Sequence, residues 1–312
     1  MASTLARMFG SGDPTTFLGL PGDAPRPDIV LAGADTATPY AGVGAYCAGG
    51  ADAIRAGAAD FTANLGHVNF DLGGPTVPEG CRVVDAGQIA CDPGDAAGNR
   101  ARIAGHVAAT VQAGAVPVLL GGDDSLPIPM LEGIGDRGAP VRVVQLDAHI
   151  DWRDEVAGER FVLSSGMRRA SEMAHVAGIV QIGARGIGSA RPGDLQDARA
   201  WGAHVVPMRE VARADVAAAL APVPEGARIA LVFDRDVLDP AIMPAVIART
   251  PGGMSYWMAV ELIAALADRG AIVAASFAEF MPDRDIDGQG ARTAAGLVAA
   301  ALGCIARARA GV

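Results

Sequence analysis

The stretch VPVLLGGDDSLP, Val116 to Pro127, sets an unbroken apolar run directly before two glycines, two aspartates and a serine. An apolar run without alternation reads as a strand buried on both faces, the mark of a parallel sheet covered by helices. Paired negative charge at the end of such a strand calls for something that offsets it. Seven further runs share this character: DIVLAG (28–33), CRVVDAG (81–87), VRVVQLD (141–147), GIVQIGA (178–184), AHVVP (203–207), RIALVFD (228–234) and AIVAASFAEF (271–280). Between them lie helical patterns at 49–64, 94–114, 126–137, 190–201, 208–221, 255–269 and 288–309, with Asp95 and Ser255 placed as caps. This alternation predicts an α/β protein: a three-layer α/β/α fold with a parallel, doubly wound sheet. Residues 1–26, rich in Gly and Pro, read as an N-terminal arm on the surface or on a neighbouring subunit. Residues 27–312 read as a single domain.

Composition narrows the function. Of 312 residues, 51% are hydrophobic, enough for a sizeable core. The 35 acidic residues exceed the 25 basic ones, for a net charge of -10. That balance argues against nucleic acid as a partner, which needs clustered Lys and Arg. It suits a site for metals or cationic substrates, although an acidic surface kept for solubility explains the charge equally well. The four cysteines, at 47, 81, 91 and 304, form no close cluster and read as reduced thiols in a cytoplasmic protein. No apolar run reads as long enough to span a bilayer, so no membrane partner is expected.

Ligands of open parallel sheets bind beyond the carboxyl ends of the strands. Three runs end there in acid: LLGGDDS, VVQLDAHIDWRD and ALVFDRDVLDP. Asp147, His149 and Asp151 are spaced by two, as are Asp234 and Asp236, with Asp239 before Pro240. On an extended backbone alternate side chains share a face, so each set can converge on a point. Packed together without cations, these carboxylates would repel and hold protons. Oxygen donors with one imidazole suit Mn²⁺, and imidazole also suits Ni²⁺ or Fe²⁺. The number of donors suggests two ions sharing bridging carboxylates.

These blocks resemble the ureohydrolase family of arginase, agmatinase and guanidinobutyrase. Gly121 to Ser125 resembles its GGDHS motif, Asp147 to Asp151 its DAHxD motif, and Val232 to Pro240 with Pro244 its SxDxDxxDPxxxP motif. TPGGMSY (250–256), FAEFMPDRD (277–285) and PYAGVGAYCAGGADAIR (39–55) resemble three further family segments. The resemblance implies an arginase-like fold, usually trimeric or hexameric, with two divalent metal ions. It implies that a metal-bridging hydroxide attacks a small cationic guanidino substrate, releasing urea and an amine. By position, Asp124, Asp147, His149, Asp151, Asp234 and Asp236 would be metal ligands. Asp151 would also orient the hydroxide, and Glu279 would pair with the substrate cation.

The chain departs from the motifs at chemically sensitive points. Asp124 stands where the family has histidine, and a further anionic ligand weakens the Lewis acid and lowers metal occupancy. Ser165, in FVLSSGMRRA, matches a histidine that relatives use at the substrate, and serine is no general acid near neutral pH. Arg235 replaces an apolar residue between two ligand aspartates; its side chain should point away from them, to a neighbouring element or to offset charge. Two readings follow. One is an active agmatinase-like hydrolase of a guanidino or biguanide-type compound. The other is a weak or inactive subunit that supports an active paralogue in a hetero-oligomer resembling metformin hydrolase.

Weaker signals have ordinary explanations. GIGDRG (133–138) matches GxGxxG but precedes a strand, so it reads as a loop. Arg168 and Arg169 can meet a substrate carboxylate or, more commonly, form salt bridges. Trp152, Met243 and Ile247 are pocket-wall candidates that packing explains as well.

Overall fold

A computed structural model describes residues 15–35, 44–214 and 216–311 of the chain. Eight strands form one sheet: β1 (Ile29–Gly33), β2 (Val83–Gln88), β3 (Val116–Leu120), β4 (Val141–Leu146), β5 (Val176–Ile182), β6 (His204–Val206), β7 (Ala227–Asp234) and β8 (Gly270–Ala278). Their order is β2-β1-β3-β8-β7-β4-β5-β6, and every neighbouring pair is parallel. All eight runs read as strands are strands. The α-helices are α1 (Gly50–Ala58), α2 (Ala96–Gln112), α3 (Pro127–Ile134), α4 (Gly166–Ser171), α5 (Pro192–Trp201), α6 (Met208–Val211), α7 (Tyr256–Arg269) and α8 (Gln289–Ala310).

Side chains alternate across the strands and build two cores. Val116, Val118 and Leu120 of β3 join a core with Ile54 of α1, Leu262 of α7 and Val298 of α8. Leu119 points the other way, to a core with Ile103 of α2 and Met130 of α3. The result is the expected three-layer α/β/α architecture. Asp95 caps α2 by accepting from the Gly98 amide, and Ser255 caps α7 through the Met258 amide.

Several expectations are modified. The helix read over 208–221 is the short α6 followed by a 3-10 turn at Val216–Leu220. Helix α4 had no counterpart, being too short to show a period. Of the arm at 1–26, residues 1–14 lie outside the described residues, as do 39–43 of the 39–55 segment. Residues 15–26 are more than a surface layer: Phe17, Leu18 and Leu20 are buried in the first core. The Phe17 amide donates to Asp85 at 2.6 Å, and Asp85 is paired with the buried Arg55 at 2.8 Å. Helix α8 is, by length and composition, apolar enough to cross a bilayer, unlike the expectation for any run of this chain. Its apolar window is 72% buried inside the protein, because the helix packs on the sheet and on α1.

Candidate metal centre and substrate cavity

Strands β3, β8, β7 and β4 are neighbours in the middle of the sheet and end on one side. Their carboxyl ends carry Asp124, Glu279, Asp234 with Asp236, and Asp147, and all of these line or floor one region. After β3, Gly121 (φ +81°) and Gly122 (φ +78°) turn the chain in the left-handed region that glycine tolerates. A side chain at Gly122 would meet the Ala34 carbonyl at 2.8 Å. Asp123 closes this turn, accepting from the Ser125 amide at 3.0 Å and its hydroxyl at 2.5 Å. Asp124 then points into the site, so the two adjacent aspartates have different duties.

The donors fall into two groups that share Asp147: Asp147, His149 and Asp236; and Asp124, Asp147 and Asp234. Within each, the ligand atoms lie within 4.8 Å of one another. Convergence comes from turns rather than from a continued strand. Asp236 lies in the 3-10 turn Arg235–Val237, where its amide donates to Asp234 Oδ1 at 2.7 Å. Asp151 has φ +49°, and Glu279 has φ +58°. Non-glycine residues persist there only where their surroundings hold them. Asp151 stands in neither donor group but lines the same cavity and is tied to Asp147 through Gln145, whose Nε2 is 2.6 Å from each carboxylate.

The charges are frustrated. Burial, then the charges of Asp151, Asp234 and Asp147, hold the Asp124 carboxyl well above the usual range. Both its oxygens face other carboxylates, with no N–H or O–H donor. Burial and neighbouring carboxylates raise Asp147 and Asp234 in the same way. Burial alone would lower His149, but the bond from its Nδ1 to Asp236 Oδ2 at 2.9 Å and the surrounding aspartates raise it to about 9. Against its burial, Asp236 is held low by that histidine and by the Ala148 amide. Glu279 is raised to about 8, mainly by burial; the Tyr46 hydroxyl opposes this, and Asp123 and Asp236 add to it. Glu279 Oε1 accepts from Tyr46 Oη and from the Asp124 amide, whereas Oε2 is buried without a partner. Mutually repelling, proton-holding carboxylates with unpartnered oxygens form a donor set that divalent cations would satisfy. The residues present fit such ions.

The cavity above them has a volume of about 190 Å³. Trp152, Ser164 and Ile247 form part of its wall, with Asp124, Asp151 and Glu279 below. Ser165, expected at the substrate, is not among its lining residues. It is fully buried, and its hydroxyl donates to the Arg160 carbonyl at 2.6 Å and accepts from the Val162 amide at 3.0 Å. The residue serves the turn into α4; its neighbour Ser164 faces the cavity. Met243 belongs to the core and Ile247 to the wall. Arg168 and Arg169 are occupied by Asp154, Glu172 and Asp197. Asp239 latches the 250–256 segment, accepting from the Gly252 and Gly253 amides at 3.0 and 3.2 Å.

Four contributors were not foreseen. Tyr46 holds Glu279; Arg185 binds the Asp236 carbonyl at 2.7 Å and that of Thr250 at 2.8 Å. Gln145 and Gln181 sit side by side on β4 and β5. A glutamine inside an otherwise apolar run was a visible signal for the last two.

Comparison with known proteins agrees with this geometry. The profile described as "Arginase family" matches residues 28–304. Proclavaminate amidinohydrolase of Streptomyces clavuligerus is 32% identical over 265 residues, 81% of each chain. A solved structure of proclavaminate amidinohydrolase from that organism superposes with a TM-score of 0.82 at 29% identity, covering 94% of this chain and 97% of that one. Guanidinopropionase of Pseudomonas aeruginosa is 34% identical over 66% of each chain. The match to arginase 1 of rice spans about half of that protein, 53%, at 32% identity. The profile takes in all eight strands and every residue of both donor groups, and the chain belongs to the arginase family.

Proposed function

We propose that the chain hydrolyses a C–N bond of a small cationic guanidino compound, giving urea and an amine, as an agmatinase-like ureohydrolase. The observation that carries this is Glu279 Oε2, a buried and unpartnered carboxylate oxygen of a residue that lines the same cavity as Asp124, His149, Asp234 and Asp236 of the two donor groups. A guanidinium is a planar fork of donors matched to such a carboxylate. Asp124, Asp147 and Asp234 would hold one divalent ion, and Asp147, His149 and Asp236 a second. The oxygen-rich set with one imidazole suits Mn²⁺, with Ni²⁺ as the other candidate. When bound, such ions supply Lewis acidity and bring the pKa of water near neutrality. The chain's own residues orient the reactants. Glu279 Oε2 pairs with the guanidinium, Asp151 orients the attacking water while Gln145 holds its Oδ2, and Trp152 and Ile247 exclude bulk solvent.

Asp124 supports a second reading, a weak or inactive subunit of a hetero-oligomer with an active paralogue. The assay is urea release by the purified chain, loaded with Mn²⁺ or Ni²⁺ and given agmatine, guanidinobutyrate, guanidine or dimethylbiguanide. Urea from the chain alone supports the first reading, and urea only on mixing with a co-encoded paralogue supports the second. No urea in either setting ends both. A trimer or hexamer, homo- or hetero-oligomeric, is supported by membership of the arginase family alone and is checked by light scattering. Four cysteines spread along the chain without a close cluster support a cytoplasmic location, checked by fractionation.

A further inference from the structure

We propose that Arg235 is a positioning residue that locks Glu279 against the Asp234–Asp236 turn; this rests on the reading of Glu279 as the guanidinium-binding group. Arg235 lies between two candidate metal ligands, yet only 1% of it is exposed. Its side chain runs to the end of β8, where Nη1 donates to the Phe277 carbonyl at 2.7 Å and the Ala278 carbonyl at 2.6 Å. These are the last two carbonyls before Glu279, whose positive φ needs support from its surroundings. The guanidinium carbon also lies 5.7 Å from the centre of the Phe280 ring. On the other flank the glycine turn takes part: Gly121 donates to the Phe277 carbonyl at 2.9 Å, and the Glu279 amide donates to the Gly122 carbonyl at 2.9 Å. The segment 277–280 is thus gripped from two sides, by β3's turn and by β7's arginine.

Simple core filling does not account for the arrangement. Arg235 Nε and Nη2 are buried and have no partner, which an apolar side chain of similar size would avoid. What arginine adds is a pair of charge-assisted bonds at one point of β8 and a cation close to Asp234 and Glu279. The ligand turn and the substrate carboxylate come from adjacent strands, and Arg235 fixes their separation.

The test compares the full chain with Arg235→Met and Arg235→Lys, each loaded with Mn²⁺. Guanidinium chloride at low, non-denaturing concentration is titrated calorimetrically, and Mn²⁺ stoichiometry is measured alongside. Arg235→Met is expected to weaken guanidinium binding at least tenfold with Mn²⁺ stoichiometry kept, and Arg235→Lys to recover part of the loss. Equal guanidinium affinity in wild type and variants overturns the proposal, as does joint loss of Mn²⁺ and guanidinium in both variants. Should Arg235→Met not fold, Arg235→Lys carries the comparison, and wild-type affinity in it overturns the proposal. A wild-type chain that binds no guanidinium instead removes the functional reading and the role of Arg235 with it.

Discussion

Gln145 Nε2 lies 2.6 Å from Asp151 Oδ2, and the same nitrogen lies 2.6 Å from Asp147 Oδ2. One neutral amide therefore steadies two carboxylates that burial and charge drive apart. Gln181 sets its orientation, donating to Gln145 Oε1 at 2.6 Å, and is itself held by Trp152 Nε1 at 2.8 Å. Gln145→Met removes both charge-assisted bonds, each worth about 1.5–3 kcal/mol. Mn²⁺ affinity measured by titration calorimetry should fall at least tenfold. Unchanged affinity would make the amide a passive neighbour.

Asp147 belongs to both donor groups, whereas Asp236 belongs to one. Metal analysis should therefore separate two substitutions. Asp147→Asn is expected to lose both ions, and Asp236→Asn to keep one. Identical stoichiometry in the two variants would contradict the shared-ligand arrangement.

Asp124 adds a buried like charge where a neutral donor would not. Asp124→His should raise Mn²⁺ affinity at least tenfold and raise the thermal midpoint of the chelator-stripped chain, since a repelled carboxylate disappears. If neither quantity moves, the carboxylate at this position is not what limits metal binding.

Ser165→His is expected to destabilise the protein without improving its activity. The Ser165 hydroxyl closes the turn before α4 and has no face in the cavity. Histidine there overfills a closed space and breaks those bonds, at a cost of roughly 1–3 kcal/mol. Denaturant titration should show the loss, and urea release should not improve. A gain in turnover would mean that the loop opens onto the site.

The metal-free chain should lose stability as pH rises. Glu279 goes from the usual 4.5 to about 8, and His149 from 6.5 to about 9. A raised folded-state pKa gives stability that is complete below the unfolded value and lost as pH climbs through the folded one. Asp236, held low, acts in the other direction and only below its usual 3.8. Between about pH 4.5 and 9, first through Glu279 and then through His149 as well, the stripped chain should therefore lose at least roughly 5 °C in its thermal midpoint. Saturating Mn²⁺ should flatten the slope, because the ions replace the protons. A flat profile without metal would show that the carboxylates are not crowded as described.

Much of this was legible in the residues. Unbroken apolar runs gave away the strands, because burial on both faces removes alternation. Acid at their ends marked where carboxylates gather, and the structure brings Asp124, Asp147, Asp234 and Asp236 together there. Extended spacing alone does not account for how these side chains converge. Asp151 and Asp236 are aimed by a left-handed φ and a 3-10 turn, which depend on contacts with other strands. Tyr46 was hidden for the same reason: it meets Glu279 across 233 positions of sequence, and no local pattern encodes that. Helix α6 is shorter than its pattern because the helix stops at Val211 and the chain turns from Ala212.

The position of β8 has a bearing on biosynthesis. It is the last strand of this sheet to leave the ribosome, yet it belongs between β3 and β7 in the centre of the sheet. Until residues 270–278 emerge, two hydrogen-bonding edges must wait for a partner, open to mispairing with each other or with another nascent chain. Nor can the centre assemble earlier, since Glu279 arrives with that strand.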